Sequence, residues 1–102
     1  MELRVLRYFL MVAREENITK AAQLLHVTQP TLSRQLQQLE QELGVTLFRR
    51  GKYNISLTED GMLLKRRAQE LVALSDRTMQ DLTNREQDIS GEISIGCGET
   101  RN

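Results

Sequence analysis

Gln29, Thr31, Ser33, Arg34, Gln37, Gln38 and Gln41 alternate with Leu32, Leu36, Leu39 and Leu43, so a helix over this stretch carries amides, hydroxyls and a guanidinium opposite a leucine stripe. In the major groove of a duplex, a Gln amide can pair bidentately with adenine and an Arg guanidinium with guanine. Each such pair contributes about 1–3 kcal/mol of discrimination, and Ser or Thr hydroxyls serve bases or phosphates. A face that meets only water more often carries Glu and Lys, which are stronger helix formers. A Gln-rich solvated surface on a small helical domain is the alternative reading of the same residues.

Arg49, Arg50 and Lys52 form a second cluster, in a turn-rich stretch where a hairpin tip would place them against phosphates or in a minor groove. Contacts of that kind give salt-dependent affinity and little sequence information. The alternative is a charged tip that keeps a strand edge soluble and unpaired. Thr19 and Lys20 open a further helical stretch whose N-terminal N–H groups can hold a backbone phosphate. Arg4 and Arg7 lie on the first helix and serve equally well as solvated charges.

Catalytic and metal constellations are absent from the sequence. His26 is the one histidine and Cys97 the one cysteine, 71 positions apart, without the partners that metal ligation or a nucleophile–base pair needs. Beside Leu25 and Val27, His26 reads as structural or exposed. Glu59-Asp60 is explained by helix capping, and Gly96-Cys97-Gly98 is too short for a phosphate loop. No enzyme, metal or cofactor is expected. A lone cysteine excludes an internal disulfide and points to a reduced thiol in the cytoplasm.

These groups need elements to position them. Leu3, Leu6, Leu10 and Ala13, with Phe9 and Val12, follow helical spacing and predict a first helix over about 2–15. Asn17-Ile18-Thr19 interrupts it, and Thr19 is the expected N-cap of a second helix through about Leu25, with Ala21 and Ala22 small enough for close helix approach. Thr28 then caps a third helix with Pro30 in its first turn, and Gly44 stands where a left-handed residue would end it.

Thr46–Arg49 and Ile55–Leu57 flank the basic loop 50–54 and predict a small hairpin, or wing. Thr58-Glu59-Asp60 caps a last helix that runs without proline to about Asp88, thirty residues or roughly 45 Å. Leu64, Ala68, Leu71, Ser75, Thr78 and Leu82 alternate by four and three, with Leu74 and Met79 alongside. Such a seam predicts a partner helix. Ser90-Gly91 would end the helix, and Glu92–Gly96 alternates like the start of a strand with no partner in the remainder, as in a chain cut from a longer protein.

Composition sets the outer bounds. A chain of 102 residues suits one domain with a modest core. With only Tyr8, Phe9, Phe48 and Tyr53 aromatic, that core is expected to be aliphatic, built from Leu, Val, Ile, Met and Ala. The net charge is zero but segregated: residues 1–67 hold eleven Lys and Arg against seven Asp and Glu, and residues 68–102 hold three against seven. Only the first part is suited to a polyanion. Charges interrupt every apolar run and Met1-Glu2-Leu3-Arg4 enters a helical pattern at once, so neither a signal peptide nor a membrane span is expected.

Several spaced motifs agree in order and register. Phe9–Ala13, Ile18–Leu25, Val27–Leu36, Leu39-Glu40, Glu42-Leu43-Gly44, Leu47–Arg50 and Leu57–Gly61 together resemble the N-terminal domain of LysR-type transcriptional regulators, over about residues 1–90. The resemblance implies a mainly α fold, a winged helix-turn-helix of three helices plus a small β-hairpin wing, followed by a long linker helix that pairs with its copy in a dimer. It further implies three parts: a winged helix-turn-helix over 1–58, a dimerisation helix over 59–89, and over 90–102 the start of an effector-binding domain.

Carried over by position, the DNA-facing residues fall on Gln29, Pro30, Thr31, Ser33, Arg34 and Gln37, and on Arg49 and Arg50 of the wing. Thr19 and Lys52 join them from the reading above, as do Leu64, Ala68, Leu71, Leu74, Thr78 and Leu82 for dimerisation. The partners implied are double-stranded DNA, a second copy of the chain, a higher oligomer in the intact protein, and a small-molecule effector in the missing C-terminal part. Two rival classes remain: a protein-interaction module whose product is the long helix, predicting weak DNA binding indifferent to sequence, and an enzyme accessory or small enzyme.

Overall fold

The second and third helices begin and end on residues that satisfy their terminal backbone groups. The computed structural model describes residues 1–52 and 54–92, with side chains described through residue 84. The elements are α1 (Leu3–Glu15), α2 (Ile18–Leu25), α3 (Gln29–Leu43), β1 (Phe48–Arg50), β2 (Ile55–Leu57) and α4 (Glu59–Glu92). Tyr53, Cys97 and the candidate strand beyond Glu92 lie outside the described residues.

The cap of α3 is the one expected: Thr28 is extended, its side chain accepts from the Thr31 N–H, Pro30 sits in the first turn, and Gly44 at φ +72° closes the far end. The start of α2 differs from expectation. Asn17, not Thr19, is the N-cap, its Oδ1 accepting from the Lys20 N–H at 2.9 Å, which makes Thr19 a first-turn residue. Both are good capping types, and the extended backbone of Asn17 decides between them. At its other end α2 closes on His26 in the left-handed conformation, φ +61°. The Val27 N–H reaches the Ala22 carbonyl at 3.0 Å and the His26 N–H the Gln23 carbonyl at 3.2 Å, the paired bonds of a Schellman motif. The turn between α2 and α3 is thereby reduced to His26, Val27 and Thr28.

The three helices meet around Leu6, Phe9, Val12, Ala21, Ala22, Leu32, Leu36 and Leu39. Three expectations are corrected here. The buried stripe of α1 is Val5, Leu6, Phe9 and Val12, whereas Leu3 is 40% exposed. Both sets have helical spacing, and docking against α2 and α3 selects between them. Nor is the core purely aliphatic: Phe9 is fully buried and its ring lies 5.3 Å from that of buried Phe48, tilted by 51°. Large rings fill the space where a helix, a loop and a strand converge more completely than branched aliphatics do. On α3 the stripe ends at Leu39, since Leu43 is exposed.

β1 and β2 pair antiparallel with Phe48 opposite Leu57, Arg49 opposite Ser56 and Arg50 opposite Ile55. Alternation turns Phe48 inward and leaves Arg49 outside; Ile55 is buried in turn. Thr58 then ties the hairpin to α4. Its backbone N–H donates to the Leu47 carbonyl at 3.0 Å, its hydroxyl donates to the Thr46 carbonyl, and its oxygen accepts from the Gly61 N–H at 3.0 Å. Gly61 is buried where a Cβ would collide with the Leu47 carbonyl oxygen, so only glycine lets α4 start this close to the wing.

The chain divides into two compact units, Met1–Val72 and Ala73–Asn102. In the first, Ala68 of α4 is fully buried in the core, with Leu64 and Val72 packed against it. This corrects the expected seam: Ala68 is buried by its own chain and Leu64 is half-buried against it, whereas Leu71, Leu74, Met79 and Leu82 are exposed. Thr78, exposed as well, donates its hydroxyl to the Leu74 carbonyl of its own helix at 2.7 Å. α4 also continues past Ser90-Gly91 to Glu92, because a glycine inside a helix costs only about 1 kcal/mol and no proline follows.

Candidate nucleic-acid interface

The side of α3 opposite its buried leucines is polar along its length. Gln29, Pro30, Arg34, Gln37, Gln38 and Gln41 are exposed, and Thr31 and Ser33 are half-buried at its margin. The leucines set the angle of this face by anchoring α3 on α1 and α2. Arg34 makes no ion pair or side-chain hydrogen bond among the described residues, so its guanidinium keeps all its donors for another molecule. The first turn is partly committed. The Thr28 hydroxyl donates to Thr31 Oγ1 at 2.8 Å, which gives Thr31 a structural role in the cap.

Thr19 and Gln29, ten residues apart on different helices, are brought together: the Thr19 hydroxyl donates to Gln29 Oε1 at 3.1 Å. Neighbouring charges on this side of the domain include Lys20, whose Nζ lies 3.5 Å from Glu15 Oε1. The Glu15 carboxyl is held below the ordinary carboxylate range, chiefly by the hydrogen bond from Arg14 and less by Lys20.

The wing carries its cations on the outside. Arg49, Arg50 and Lys52 are all exposed, and Arg49 and Arg50 have no side-chain partner among the described residues. What aims the wing was not foreseen from sequence. Glu40, from the last turn of α3, accepts the Leu47 N–H at 2.7 Å and the Phe48 N–H at 3.3 Å on one carboxylate oxygen. A carboxylate on two backbone donors at the entry to β1 binds α3 and the wing into one piece. The signal was there to read, a half-buried acid among the glutamines of α3, but its partners lie in a loop whose path the sequence does not state.

Among the described residues no group of His, Cys, Asp and Glu is placed to hold a metal ion, and no helix is long and apolar enough to cross a membrane.

Comparison with known proteins identifies this arrangement. The family model described as bacterial regulatory helix-turn-helix protein, lysR family, matches residues 3–62. The chain is 44% identical over 96 residues to the HTH-type transcriptional regulator BudR of Klebsiella aerogenes, covering 94% of this chain and 67% of BudR. It is 41% identical over 97 residues to the HTH-type transcriptional regulator BsdA of Bacillus subtilis (strain 168), covering 94% of this chain and 33% of BsdA, so it spans about a third of the length of that relative. Among solved structures, the BenM DBD/benA site 1 DNA complex superposes with a TM-score of 0.77 at 45% identity, over 83% of this chain and 98% of that one. With four helices and an antiparallel hairpin among the described residues, and with the helix-turn-helix stretch inside the matched segment, the chain belongs to the lysR family of bacterial regulatory helix-turn-helix proteins.

Proposed function

We propose that this chain is the DNA-reading part of a dimeric transcriptional regulator. α3 enters the major groove with Gln29, Ser33, Arg34 and Gln37 toward base edges and with Pro30 and Thr31 beside them, while Arg49, Arg50 and Lys52 of the wing lie on the backbone or in the minor groove. The observation that carries this reading is the pairing of an outward polar α3 face with wing arginines that have no partner of their own, both fixed to one core. Relatives solved as DNA complexes, BenM among them, support it.

Dimerisation falls to the helix over 59–89, with Leu71, Leu74, Thr78 and Leu82 facing the second copy, while Ala68 is taken up by the core of its own chain and Leu64 packs against that core. Two α3 helices then sit about 34 Å apart, one helical turn of DNA, on an imperfect palindrome. The parts are a winged helix-turn-helix over 1–58, the linker helix, and from 90 the start of an effector-binding domain. There a small molecule would change how the dimer grips DNA in the cytoplasm, and a higher oligomer would form.

Selection from random duplexes tests the reading. The account expects enrichment of two related half-sites one turn apart; enrichment of no motif, with binding indifferent to sequence, would favour an interaction module built on the long helix.

A further inference from the structure

We propose that Thr19 acts on DNA through Gln29, as a positioning residue that holds the Gln29 amide in its reading orientation, and makes no phosphate contact of its own. The proposal rests on the DNA-reading function above. It begins from the cap of α2. Because Asn17 Oδ1 takes the Lys20 N–H at 2.9 Å, the Thr19 hydroxyl is not drawn into capping. It crosses instead to the first residue of α3 and donates to Gln29 Oε1 at 3.1 Å. The other two hydroxyls of that turn are engaged with each other, Thr28 donating to Thr31 at 2.8 Å. Gln29 is therefore the first-turn side chain of α3 that α2 holds in place.

The bond has two consequences for readout. With Oε1 turned to Thr19, the Nε2 hydrogens and the second lone pair of Oε1 face outward, and this donor beside an acceptor complements the N7 and N6 edge of adenine. A free glutamine surrenders rotamer freedom when it is ordered on a base, whereas a buttressed one has already surrendered it in folding. A wrong base then leaves a fixed amide unpaired, which is what makes a polar site selective.

The test is selection from random duplexes by the full chain and by Gln29→Ala, Thr19→Val, Thr19→Ser and the double variant Thr19→Val/Gln29→Ala, with melting to show that each folds. Gln29→Ala identifies the base pair that Gln29 reads, as the position whose preference disappears. Thr19→Val is expected to lower the preference at that pair by about fivefold, the worth of one neutral hydrogen bond. The rest of the motif and the salt dependence should stay unchanged. Thr19→Ser restores the preference, and Thr19→Val adds nothing once Gln29 is alanine.

Uniform weakening of all sequences by Thr19→Val with a flatter salt slope would show a direct phosphate contact and overturn the proposal. An effect that persists in the Gln29→Ala background, or no effect, overturns it equally. A wild-type chain that enriches no motif overturns the DNA-reading function itself. A wild type that enriches one while Thr19→Val fails these expectations overturns only the positioning role.

Discussion

At the scale of single residues, the helix-turn-helix closes on an unusual choice. His26 holds φ +61° in the Schellman turn between α2 and α3, a conformation that costs an L-residue roughly 1–2 kcal/mol and that glycine adopts freely. Its ring is exposed, so replacing it removes no core contact. His26→Gly is expected to stabilise the chain by about 0.5–1 kcal/mol after the larger unfolded-state entropy of glycine is subtracted, seen as a rise in Tm. An unchanged or lowered Tm would mean that the side chain contributes more than its backbone costs. The left-handed Gly44 was legible because its type announces it; the same conformation at His26 was not, since nothing about histidine does.

At the scale of elements, the least visible link in the sequence is the one that aims the wing. Glu40→Ala removes the acceptor of two backbone N–H groups and should cost about 2 kcal/mol, within the range for charged hydrogen bonds lost from a half-buried site. The measurement is amide hydrogen exchange, in which Leu47 and Phe48 lose protection first while the Leu32 and Leu36 amides of α3 keep theirs; equal loss everywhere would contradict a local latch. The helices themselves were largely readable. Thr28, Pro30 and Gly44 mark α3 through cap chemistry that acts within a few residues, and the hairpin followed from two short apolar runs around a basic turn. What was misread depends on distant partners. The stripes Leu3–Leu6–Leu10 and Val5–Phe9–Val12 are equally helical, and only the docking of α1 distinguishes them. In the same way, Leu64 and Ala68 repeat as a seam whether the partner is a second chain or the core of their own.

At the scale of the whole molecule, the apolar residues of α4 differ in how far their own chain covers them. Ala68 is 0% exposed, whereas Leu74 and Leu82 are 52% and 56% exposed. Leu74→Asp should therefore abolish self-association in sedimentation and leave the stability of the Met1–Val72 unit within about 0.5 kcal/mol, as for a surface change. A dimer that survives it would place the interface elsewhere. The charge asymmetry, basic over 1–67 and acidic over 68–102, fits a DNA-facing part joined to one that meets protein.

The central claim is that α3 reads bases while the wing supplies affinity. Its most direct test is random-duplex selection by Arg34→Ala beside Arg50→Ala, repeated across salt concentrations. The account predicts that Arg34→Ala relaxes preference at one base pair of each half-site, at a cost of about 1–3 kcal/mol, whereas Arg50→Ala weakens every sequence alike and lowers the salt slope by about 1 per site. An Arg34→Ala chain that still enriches the full wild-type motif would contradict it.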